Sequence, residues 1–208
     1  MDINLLPKSI PIFPLNGALL LPGGNLPLNI FEPRYLSMVD YAMKNEKMIG
    51  MIQEKESKKT NNLYTIGCLG KITQFNEIEE NKYFINLSGI IRFKLVQEIQ
   101  TLEKFRKLEV DYSIFTNDTT NIFNDIGNRN DFLLAVKNYL QKNDIYANWD
   151  TLQNVNQTLL ITTLASICPF SNAEKQMILE SSNMDNIPKI MLKLFDMNKE
   201  NLNPKSIN

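Results

Sequence analysis

IPIFPLNGALLLPGGNLPLNIFEPRY, residues 10–35, is apolar enough to suggest a membrane anchor, yet it holds Pro11, Pro14, Pro22, Pro27 and Pro33 of the chain's 9 prolines. A spanning helix needs roughly 20 consecutive apolar residues, and the longest unbroken aliphatic run here is Ala18–Leu21. The anchor reading therefore fails on length and on proline. What remains is a set of short apolar pieces, IPIF, ALLL and LPLNIF, that read as strands. Proline removes a backbone donor, which confines such strands to edges, ends and bulges. LPGGN (Leu21–Asn25) offers two glycines for a turn. A helix is predicted to open at EPRYLSMVDYAMKN: Pro33 falls near the first helical position, where its missing N–H costs nothing. Glu32 and Asp40 precede Lys44 and Lys47 in the sense the helix dipole favours, and Leu36, Val39 and Met43 make one apolar stripe.

Further strand-like segments follow: KMIGMIQ, LYTIGCLGKITQF, KYFINLSGIIRFKLVQEI and RKLEVDYSIF, rich in Ile, Val, Tyr and Phe. In the third, Tyr83, Ile85 and Leu87 share a face and the alternation breaks at Gly89, which predicts a bulge. EKESKKTNN (Glu54–Asn62) reads as a polar loop and NEIEENK (Asn76–Lys82) as a hairpin connection. Six or seven short strands predict a small barrel or sandwich over residues 1–116. The Asn- and Asp-rich 117–130 reads as a linker in which Ile122 and Phe123 dock on a neighbour. From 131 to 200 the period turns helical. Phe132, Leu133, Val136 and Leu140 line one helix; Leu152, Val155, Leu159, Leu160, Leu164 and Ile167 line a second, which Pro169 ends. Ser171 and Glu174 match a capping box ahead of a third, and Ile187, Ile190, Met191, Leu194 and Phe195 stripe a fourth. Residues 201–208 read as a frayed tail.

The composition excludes much chemistry. The chain has no histidine, which removes Ser-His-Asp and Cys-His catalysis and the commonest transition-metal ligand. Cys68 and Cys168 are too far apart for a metal motif, and their small number suits a reducing cytosol. GCLGK (Gly67–Lys71) is too short for a phosphate loop and has Ile72 where a hydroxyl residue is needed, so Gly67 and Gly70 read as allowing a strand to bend. Glu79 and Glu80 read as solvated turn residues. Basic and aromatic residues interleave at Arg92–Lys94 and Lys104–Lys107, but a net charge of -1 gives RNA no basic surplus to meet. No targeting segment is read at the start, where an early acid and prolines replace a basic end and clean apolar core. The expectation is a cytoplasmic protein without metal or cofactor and off the membrane.

Five separated segments, LPGGNLPLNIFEPRYLSMVDYAM, IGMIQ, YTIGCLGKI, LSGIIRF and ANWDTLQNVNQTLLITTLASICPFSNAEKQMILE, occur in an order that resembles the substrate-binding N-terminal domain of Lon proteases, and more narrowly the bacterial proteins made of that domain alone. The resemblance runs from Ile10 to Phe195. It implies an α+β fold: an N-terminal PUA-like β-barrel with one inserted helix, then a C-terminal helical bundle. It also implies a binding module without the ATPase and Ser–Lys protease parts of full Lon. The family's helix start falls on Glu32, Pro33, Arg34 and Tyr35, its Gly-x-x-Arg-Phe strand on Gly89, Arg92 and Phe93, and its second helix start on Pro169, Phe170, Glu174, Lys175 and Gln176. Glu32 and Arg92 sit in apolar surroundings and must be paired if buried, so a Glu32–Arg92 or Glu32–backbone contact is expected. The implied partners are unfolded or partly folded polypeptides, with a separate ATP-dependent protease as a further partner. Leu19, Leu21, Leu26, Leu28 and Phe31 are the candidate contacts on the opening stretch, although core packing is the expected role of most of them, since aliphatic residues usually bury. RNA binding through the barrel is the alternative.

Overall fold

The computed structural model describes residues 2–55, 63–120, 123 and 127–200, with side chains to residue 197. The loop expected over 54–62 therefore lies largely outside the described residues, as do Ile122 and the expected tail. Six strands form one sheet: β1 (Ser9–Pro14), β2 (Asn25–Ile30), β3 (Met48–Ile52), β4 (Ile66–Glu79), β5 (Lys82–Ile99) and β6 (Lys107–Asp111). Their order is β2-β5-β4-β3-β1-β6, and β6 also pairs with β5. The pairings β1–β3, β3–β4, β4–β5, β5–β6 and β6–β1 thus close into a circuit, with β2 added on the outer edge of β5. The β1–β3 pair is parallel, which demands a crossover of a dozen or more residues. The opening stretch supplies it: β2 and helix α1 (Pro33–Lys44) both lie between β1 and β3.

The long strand β5 serves two cores, and the bulge foreseen at Gly89 is the reason. Gly70 pairs with Gly89 and Leu69 with Ile91, so Ile90 is an extra residue and the side chains beyond it change faces. Ile85 and Leu87 join the cluster that runs to the helices. Ile91 and Phe93 join a second cluster with Ile10, Ile12, Ile52, Leu69, Leu108 and Val110, which draws a side chain from every strand of the circuit. A Cβ at Gly89 would lie 2.1 Å from the Leu21 carbonyl oxygen, because the Leu21–Gly24 turn docks there by Gly23 N–H to Gly89 and Gly89 N–H to Gly24 bonds, each 2.9 Å. Gly67 and Gly70 serve space rather than bending. A Cβ on Gly67 would come within 2.4 Å of the Phe93 ring, and one on Gly70 within 2.8 Å of Leu20. The β4–β5 connection is tighter than expected, only Glu80 and Asn81, with Asn81 at φ 60°.

The helical half holds α2 (Arg129–Lys142), α3 (Trp149–Asn154), α4 (Gln157–Ile167), α5 (Asn172–Leu179) and α6 (Ile187–Glu200). The single helix expected over Leu152–Ile167 is two. Val155 is extended at ψ 154°, and Asn156 caps α4 by accepting from Leu159 N–H at 2.8 Å. An apolar stripe does not register such a break, because an Asn competes for backbone donors whatever its neighbours' period. The capping box at Ser171 and Glu174 is present, and Cys168 is extended before Pro169 as a residue preceding proline must be. Tyr139, Phe170 and Phe195 pack together in the bundle with centroids 4.6 to 5.7 Å apart. The segment expected to be a linker contributes Asp118 and Phe123 to the interior.

Candidate functional site

Arg92 is the most thoroughly bound charge among the described residues, and Glu32 is not its partner. Burial to 1% exposure removes Arg92 from water, so its donors must all be met inside. Its Nε and NH2 fork onto Asp118 at 2.8 and 2.7 Å, and its backbone N–H donates to the same carboxylate at 3.1 Å. NH1 donates to the carbonyls of Leu179, at 3.0 Å, and of Ser181. Those carbonyls lie at the C-terminus of α5, where helix acceptors lack partners and attract cations. The guanidinium also lies 4.3 Å from the Phe115 ring centroid. Arg92 therefore ties β5, the chain after β6 and α5 together. Neither expected partner of Glu32, Arg92 or backbone, is found among the described residues: Glu32 lies in solvent at the N-cap of α1, makes no side-chain cap bond and pairs with Arg34 at 3.0 Å. Sequence reasoning found Arg92 and missed Asp118, which stands in a polar run indistinguishable from a solvated loop.

The second helix-start motif docks α5 on the sheet. Lys175 donates to the carbonyls of Gly17 at 2.6 Å and Ser166 at 3.2 Å, and burial pushes its pKa down. Gln176 donates to the Ile66 carbonyl at 3.2 Å and accepts from Gln53 at 3.1 Å. These contacts join α5 to the rest of the fold.

The opening stretch divides sharply. Leu19, Leu21 and Leu26 are buried in the core, the role expected of most of the five, and the contact role is corrected for these three. Burying their aliphatic surface contributes roughly 25 cal/mol per Å². Leu28 is half-buried, and Phe31 is 65% exposed. Both line a cleft of about 350 Å³ together with Phe13, Leu15, Tyr35 and the charged rim Glu32, Arg34 and Glu54. Strand β1 supplies one wall, the end of β2 the other, and the first turn of α1 closes the end. The Phe13 and Tyr35 rings pack at 4.2 Å, and the Arg34 guanidinium covers Tyr35 at 4.4 Å. Burial raises the Tyr35 pKa, which keeps the phenol neutral. Neither thiol offers a nucleophile: burial pushes Cys68 up strongly and Cys168 up to about 12. Among the described residues no group of His, Cys, Asp and Glu is placed to hold a metal ion. No helix among them is long and apolar enough to cross a membrane. What the cleft offers chemically is an apolar seat with an aromatic wall and a polar rim.

Solved structures share this fold. A Lon N-terminal domain protein from Xanthomonas campestris superposes with TM-score 0.60 at 20% identity, covering 90% of this chain and 98% of that one. The N-terminal domain of a Mycobacterium avium complex Lon protease gives 0.60 at 15% identity, covering 91% and 98%. In sequence, the Lon protease of Anaeromyxobacter dehalogenans is 26% identical over 99 residues, 46% of this chain and 12% of that protein. That of Buchnera aphidicola subsp. Schizaphis graminum is 23% identical over 194 residues, 85% of this chain and 23% of that protein. The chain thus spans under a quarter of the length of these two curated relatives. The family model described as the ATP-dependent protease La (LON) substrate-binding domain matches residues 9–194, and the chain belongs to that family.

Proposed function

We propose that this chain is a non-catalytic polypeptide-recognition module that takes exposed apolar segments of unfolded or damaged proteins at the cleft beside Phe31. The observation that carries the reading is Phe31 itself. A large aromatic ring left 65% in solvent at the mouth of a cleft lined by apolar side chains makes one continuous apolar surface, the feature that marks a binding site. Leu28 and Tyr35 extend the same surface inward. Family membership supports a role in substrate recognition. The closed strand circuit supports reading the sheet as a PUA-like barrel, with the helices from residue 131 to 200 as the second subdomain and 117–130 as the connection. Action in the cytoplasm, with a separate ATP-dependent protease as partner, belongs to the same proposal.

The test is binding of a permanently denatured client, such as a reduced and carboxymethylated protein, to the purified chain. Saturable binding that competes with an apolar peptide supports the reading; failure to bind any denatured client contradicts it. Incubation of the same client with the chain, with and without ATP, is expected to leave it uncleaved.

A further inference from the structure

Among the described residues, the rim of the Phe31 cleft is not electrically neutral. Glu32 and Arg34 pair with each other at 3.0 Å and cancel. Arg106 spends its fork on Glu98, with Nε at 2.7 Å and NH2 at 2.8 Å, and reaches Glu54 only at 4.0 Å. Among the described residues, the three carboxylates Glu32, Glu54 and Glu98 in and beside the cleft rim meet two guanidinium groups, Arg34 and Arg106, an excess of one negative charge. It falls at Glu54, whose side chain lines the cleft and is 42% exposed. Lys55, next along the chain, does not line the cleft; its ammonium lies 5.8 Å from the Tyr64 ring centroid. The Tyr35 hydroxyl senses the same arrangement, since Glu32 and Glu54 act to raise its pKa while Arg34 and Arg106 act to lower it.

We propose that the cleft selects, within an unfolded polypeptide, a large apolar side chain that has a lysine or arginine beside it in sequence. The apolar side chain seats against Phe13, Leu28, Phe31 and Tyr35, and the neighbouring cation lies over Glu54. This rests on the polypeptide-binding reading and narrows its substrate class. A charge at the mouth of a low-dielectric cleft is screened less than one on an open surface. Like-charge juxtaposition is the usual means of rejecting wrong partners. Strand addition to the outer edge of β2 is a poorer mode, because Pro27 interrupts that edge with a residue that has no donor.

The experiment titrates the full chain into three labelled unstructured peptides, identical except that the residue beside their single phenylalanine is Lys, Ser or Glu. The expected order is Lys, then Ser, then Glu, with about tenfold between the extremes. That spread should shrink between about 50 mM and about 500 mM salt. Glu54→Lys should reverse the order, and Glu54→Gln should bring the three peptides together. Equal affinities in low salt, or an order unchanged in both variants, overturns the selectivity while leaving polypeptide binding in place. No binding of any of the three peptides overturns both.

Discussion

Arg92 shows how a single residue can join two halves of a chain. It is buried on β5, yet every partner of its side chain lies outside the strand circuit: Asp118, the end of α5 and the Phe115 ring. A buried pair of this kind is weak evidence for net stability, since desolvation offsets most of the attraction, but removing one partner strands the other. Arg92→Met is therefore expected to cost about 3–5 kcal/mol, and pairing it with Asp118→Leu to recover a large part of that loss. Urea unfolding of the two variants checks this, and a single variant within about 1 kcal/mol of the parent would contradict it. The sequence made Arg92 conspicuous as a charge among apolar residues. It gave no sign of Asp118, because local composition carries no information about which acid a distant strand requires.

Among the elements, those defined by local rules were legible and those defined by packing were not. Pro33 at the first turn of α1, the bulge at Gly89 and the capping box at Ser171 all follow from backbone chemistry within a few residues, and all are present. The division of α3 from α4 was not legible, since Leu152 on one side and Leu160 and Leu164 on the other are buried in one core and so keep a continuous apolar period. The break is held by Asn156, whose side chain satisfies the Leu159 donor. Asn156→Ala is expected to cost about 1 kcal/mol without fusing the two helices. In a chain of this size that lowers Tm by roughly 2–4 °C. An unchanged Tm with increased helical circular dichroism would show instead that a continuous helix is available. The fate of Leu19, Leu21 and Leu26 was likewise decided by packing: composition made them candidates for contact, and the Leu21–Gly24 turn folding onto Gly89 sent them inward.

At the scale of the whole molecule, one apolar cluster runs from the sheet into the helices. It joins Leu20, Met38 and Leu87 to Phe132, Leu164 and Phe195. Together with the Arg92 contacts and the Lys175 and Gln176 bonds, this continuity predicts that the two halves unfold as a single cooperative unit. Denaturant unfolding should show one transition, with Trp149 fluorescence in the helical half and amide exchange in β5 giving the same midpoint. Separated midpoints would mean that the halves fold independently. In the proposed reading the client meets a preformed seat, because β1, β2 and α1 already form the cleft's walls, and it spends little on ordering it. The most direct measurement is the affinity of a fluorescent, phenylalanine-containing unfolded peptide for the parent chain and for Phe31→Ala, with Tm recorded for both. Truncating an aromatic anchor typically costs about 2 kcal/mol or more of binding, roughly thirtyfold in affinity, whereas an exposed side chain contributes within about 0.5 kcal/mol to stability. A Phe31→Ala chain that melts with the parent and binds some thirtyfold more weakly is the expected result; one that binds as tightly as the parent would contradict the assignment of the cleft.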